Sequence, residues 1–111
     1  MNGIPVESTK GESAADTAQT VSSPARGRRD LKVVTVAYSA SVSVDVLVTL
    51  NAGAGDAYDT ILGRIELSSE RYGVYLPEAP IPMADGDAID VLAPAGGGGI
   101  TSTVEIRMET S

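Results

Sequence analysis

Val42-Ser43-Val44-Asp45-Val46-Leu47-Val48-Thr49-Leu50 alternates without a break: Val42, Val44, Val46, Val48 and Leu50 fall on one side, and Ser43, Asp45, Leu47 and Thr49 on the other. Successive side chains of a pleated strand point to opposite faces, so a period of two marks a strand with one face on a core. The valines reinforce the reading. A side chain branched at Cβ packs well on a pleated surface and loses freedom in a helix. The first set is therefore expected to face the core.

The same signal recurs on both sides. Residues 31–38 (Leu-Lys-Val-Val-Thr-Val-Ala-Tyr) read as a strand with few polar residues, both faces partly covered, and residues 39–41 as a turn. Residues 60–67 alternate Ile61, Gly63, Ile65 and Leu67 against Leu62, Arg64 and Glu66, with a second turn at 68–70. Residues 72–76 form a short strand that Pro77 ends, and Pro80 and Pro82 keep the following run extended. The stretch from 76 to 88 is unlike a hairpin and suits a crossing between two sheets. Asp85-Gly86 marks a tight turn, 88–92 a strand, 95–99 a glycine loop, and 100–108 a last strand with Val104, Ile106 and Met108 on one side. No helix of standard length is predicted. Strands at this spacing predict an all-β fold, an antiparallel β-sandwich of jelly-roll or Greek-key type.

Residues 1–29 have a different character: Ser, Thr, Ala, Gly and charge, with little to bury. They are expected to form an extended N-terminal arm, and residues 30–111 the β-sandwich domain. Within the arm, residues 13–19 suit a helical turn or two, with no apolar stripe to hold it. Thr20-Val21-Ser22 suits a short edge strand that Pro24 stops. An arm of this kind gains shape on a neighbouring molecule. Ile4, Val6 and Val21 are its apolar contacts. Arg26, Arg28 and Arg29 form a basic junction suited to an acidic partner or to the acidic body of a second copy. The arm carries four cations against three acids, and the body four against twelve.

The chain of 111 residues suits one domain, and its core has to be built without Phe or Trp. Small stiff side chains and four tyrosines bury less area than an aromatic core, so self-association or a partner is expected to add stability. The absence of cysteine excludes a disulfide framework and a thiolate metal site, and the absence of histidine removes the commonest general base. The acidic body repels nucleic acid, and no run approaches the roughly 18 apolar residues of a membrane span. Neither nucleic acid nor membrane is expected as a partner. Residues 1–11 hold no apolar run of the secretory type, so export by the general route is not expected.

Carboxylates gather at Asp56 and Asp59 around Tyr58, and at Asp85, Asp87 and Asp90 around Gly86. Oxygen donors of this kind hold calcium, but Asp85-Gly86-Asp87 lacks the EF-hand spacing. A glycosidase pair would want aromatic platforms beyond tyrosine. Turn chemistry accounts for these residues best, since Asp and Gly bend the backbone. The glycines at 96–99 lead into a strand, with no Gly-Lys-Ser/Thr opening a helix. They suit a hairpin tip or the close approach of another backbone rather than a phosphate cradle. No catalytic residue, metal ligand or cofactor site is assigned, and an enzyme is not expected.

Several segments resemble small structural proteins of tailed bacteriophages: Val33-Val34-Thr35-Val36-Ala37-Tyr38-Ser39, Leu50-Asn51-Ala52-Gly53-Ala54-Gly55-Asp56-Ala57-Tyr58-Asp59, Tyr75-Leu76-Pro77, Met83-Ala84-Asp85-Gly86-Asp87-Ala88-Ile89 and Pro94-Ala95-Gly96-Gly97-Gly98-Gly99. The likeness lies in style and segment order over residues 30–108. It implies a virion component made in the host cytoplasm, a capsid decoration (cement) protein that binds between subunits of the major capsid protein through its arm and sandwich. The alternatives it leaves are a head–tail or tail component, or a surface module that binds a glycan or receptor with the help of calcium. A homo-oligomer is expected, and no functional residue carries over.

Overall fold

In the computed structural model, residues 6–25, 27–52, 60–79 and 81–110 are described. They form β1 (Val6–Glu12), β2 (Gln19–Pro24), β3 (Arg29–Asn51), β4 (Thr60–Tyr75), β5 (Ile81–Met83), β6 (Ala88–Ala93) and β7 (Ser102–Thr110). The strands belong to one seven-stranded sheet, and every pairing in it is antiparallel.

β3 and β4 make one long ribbon, and the ribbon bends. Its register runs from Val34↔Tyr75 to Ala37↔Tyr72, jumps to Val42↔Glu70 and Val44↔Leu67, and continues to Leu50↔Thr60. At the jump β3 also changes partner on its other edge: residues 29–38 pair with β7, and residues 47–51 with β6. Two layers result. One runs β1, β7, first half of β3, second half of β4; the other runs β2, β6, second half of β3, first half of β4. β5 lies beside residues 29–31 at the end of the first layer. A hairpin of paired halves rolled over itself in this way is a jelly roll, as the alternation and the long crossing at 76–88 lead one to expect.

The core lies between the layers. Leu31, Val34, Val36, Val46, Val48, Ile89, Val91, Val104 and Ile106 are fully buried, joined by Met83, Met108 and Tyr38. Val42 is also buried, and Val44 and Leu50 pack against the same cluster, so the face read from the alternation is the core face. Burying a Val, Leu or Ile side chain is worth about 1.5–3 kcal/mol, which makes this interior the main source of stability.

The two turns expected at 39–41 and 68–70 do not reverse the chain. They are the two sides of one corner, where the ribbon passes from one layer to the other. Ser69 there has φ 54°. Serines satisfy the backbone that the corner disturbs: the Ser69 N–H donates to Ser43 Oγ at 3.0 Å, and the Thr101 N–H to Ser39 Oγ at 3.0 Å. Serine's readiness to bond nearby backbone gives it the look of a chain reversal in sequence.

The expected arm is corrected over its described residues. β1 pairs with β7 along its whole length, and β2 pairs with β6 from Gln19↔Ala93 to Pro24↔Ala88. Val21, Ser23 and Ala25 are buried. The edge strand read at 20–22 is β2, but it closes this chain's own sandwich. Residues 13–18 form no helical turn. Asp16, at φ 57°, places its N–H on the Ile100 carbonyl at 3.1 Å. Sparse apolar residues hid the arrangement, because an edge strand needs only alternate small side chains on its inner face.

Glycines let the layers close at both edges. A Cβ on Gly11 of β1 would meet Val21 Cγ2 of β2 at 2.3 Å; one on Gly63 would meet the Tyr75 ring, and one on Gly73 would meet Ile65 Cγ2 at 2.3 Å. At the β1–β2 edge, Thr9 and Ser23 share a hydrogen bond at 2.9 Å, and the Gln19 amide donates to Ser102 Oγ at 2.8 Å.

Candidate partner-binding surface

Among the described residues, β4 has β3 on one side and no strand on the other. A strand edge left this way presents its backbone N–H and C=O groups to whatever chain approaches. In its second half the outer face is apolar as well. Val34, Val36 and Tyr38 point inward, so Val33, Thr35 and Ala37 of β3 face out. Thr35 lies opposite Val74, and Ala37 opposite Tyr72. Tyr72, Val74 and Leu76 thus form an outer stripe, 59%, 44% and 71% exposed. The run Tyr72-Gly73-Val74-Tyr75-Leu76-Pro77 carries no charge, and Glu70-Arg71 and Glu78 bracket it.

Beyond Leu76 lies a shallow groove of about 350 Å³, lined by Lys32, Val33, Leu76, Pro77, Arg107 and Glu109. Lys32 Nζ stands 3.5 Å from Glu109 Oε1, with both side chains partly exposed. Two cations and one anion around an apolar wall make this a locally basic spot on an acidic molecule.

The described residues among those expected to meet a partner are not gathered on one surface. Val21 is 7% exposed, within the core, and is withdrawn as a contact. Val6 lies in β1 opposite Glu109. Arg28 is exposed, and its carbonyl accepts from Arg29 Nη1 at 3.0 Å. Ile4 and Arg26 lie outside the described residues. The basic junction is tied by its backbone to this chain's own acidic turn: the Gly27 N–H donates to Asp85 Oδ1 at 2.7 Å, and the Ala25 N–H to the Asp87 carbonyl at 2.7 Å.

Asp85 and Asp87 serve the backbone, as turn chemistry predicts, whereas Asp90 lies within β6 and meets a side chain. Asp87 Oδ2 accepts from the Ala84 N–H at 3.0 Å, Gly86 takes φ 95°, and Asp90 Oδ2 accepts from the Asn51 amide at 3.2 Å. Asp56, Tyr58 and Asp59 lie outside the described residues. Among those described, no three acidic side chains converge as a metal site would require. The glycine loop is a turn rather than a place of close approach: Gly97, Gly98 and Gly99 all have positive φ with open space where a Cβ would stand, and the Gly99 N–H donates to Asp16 Oδ1 at 2.7 Å.

Burial shifts one tyrosine among the described residues. The Tyr38 hydroxyl donates to the Pro94 carbonyl at 2.8 Å, and burial pushes its pKa above the ordinary value. It braces the crossing from β6 toward β7.

The stripe was half legible in sequence. Tyr72, Val74 and Leu76 show the period of two, but so do Gly73 and Tyr75 on the other face. Which set turns inward depends on Gly63 and Ile65, which receive Tyr75 and Gly73 only after the ribbon bends.

No protein-family model and no curated protein matches the chain. Among solved structures, RmlC from Streptococcus suis in complex with dTDP-D-xylose is similar at a TM-score of 0.32 and 9% identity, over 96% of this chain and 44% of that chain. The chain therefore spans less than half of that protein's length.

Proposed function

We propose that the protein is a structural component of a tailed-phage virion, a decoration protein that binds between subunits of the major capsid protein and stabilises the shell. The observation supporting a binding role over a catalytic one is the filled interior. Leu31, Val34, Val36, Val46, Val48, Ile89, Val91, Val104 and Ile106 occupy the space between the layers. In a barrel so packed, recognition falls to the outer faces and loops. The acidic body, net −7 for the whole chain, favours a basic protein surface over nucleic acid. An N-terminal arm is no part of this proposal, because β1 and β2 are held in the sheet.

The test is stoichiometric. Particles of the encoding phage are purified, and this protein is quantified against the major capsid protein by gel densitometry. A copy number that is a fixed fraction of the shell subunits supports decoration. A few copies per particle would place it at the tail instead, and absence from particles would overturn the virion reading.

A further inference from the structure

We draw no further inference here: the strongest candidate, the apolar stripe of Tyr72, Val74 and Leu76 on the outer face of the first layer with the strand edge of β4 beside it, carries nothing because nothing in the structure shows what covers it.

Discussion

The Tyr75 ring lies over Gly63 of its own strand: a Cβ at 63 would stand 2.7 Å from Tyr75 Cε1, and the Tyr75 hydroxyl reaches the Leu62 carbonyl at 3.4 Å. Two residues this far apart in a single strand touch only because β4 turns the corner at Ser69 and returns in the other layer. Gly73 receives Ile65 in the same way from the opposite side. The two contacts lock the folded ribbon at the edge where no further strand covers it. Gly63→Ala and Gly73→Ala are each expected to lower stability by about 1–3 kcal/mol, the usual cost of overpacking. Urea unfolding measures it. In the Ile65→Ala background the Gly73→Ala penalty should shrink, because the methyl it strikes is gone. An equal penalty in both backgrounds would show that the contact does not set the cost.

The N-terminal strands are expected to be needed for folding. Removing residues 1–24 strips β1 and β2, leaves both layers one strand short and uncovers the core at Val21. The truncated chain should lose its cooperative thermal transition. The milder Val21→Ala should cost roughly 2 kcal/mol from lost burial and the cavity left behind. A truncated chain that still melts cooperatively would return residues 1–24 to the status of a separate arm.

Tyr38 makes stability sensitive to alkali. The buried phenol holds its proton more tightly in the folded than in the unfolded chain, where its pKa is about 10. Its contribution is therefore full below that value and is lost as pH rises through the higher folded value. Urea midpoints measured from neutral pH to about pH 11 should fall at the alkaline end. Tyr38→Phe should be less stable at neutral pH by about 1–2 kcal/mol, since the Pro94 carbonyl loses its partner, and should show a shallower alkaline decline.

Asp16 is expected to act through the glycine loop. Its carboxylate holds the Gly99 N–H, and its backbone sits at φ 57°. Asp16→Asn keeps the tolerance for this conformation and should cost little. Asp16→Ala loses both the tolerance and the acceptor and should cost about 1–2 kcal/mol. Amide exchange at Gly99 should accelerate in Asp16→Ala and stay slow in Asp16→Asn.

The architecture was legible where side chains alternate for local reasons. Val42, Val46 and Val48 announce their face because each valine either meets the core or wastes its burial. The crossing at 76–88 was legible from its prolines. What stayed hidden depends on distant partners. Val21 looks stray in a polar segment until Gly11 is placed against it, and Ser39 and Ser69 look like chain reversals until they become opposite sides of one corner. The stripe at Tyr72, Val74 and Leu76 is also non-local, since it faces outward only because Gly73 and Tyr75 turn inward onto Ile65 and Gly63.

The pairing of β1 with β7, from Val6↔Glu109 to Glu12↔Thr103, joins the first described strand to the last. During synthesis β1 must wait for β7 to emerge before it can find its place, and β2 must wait for β6. Among the described strands, β3 and β4 form the one large pairing whose members follow each other directly, so their ribbon is the natural nucleus. Such distant closures make folding slow compared with helical proteins of this size. Until β7 arrives, the inner faces of the ribbon stand open to solvent, and in that interval a chaperone or a second nascent chain has its best opportunity to intervene.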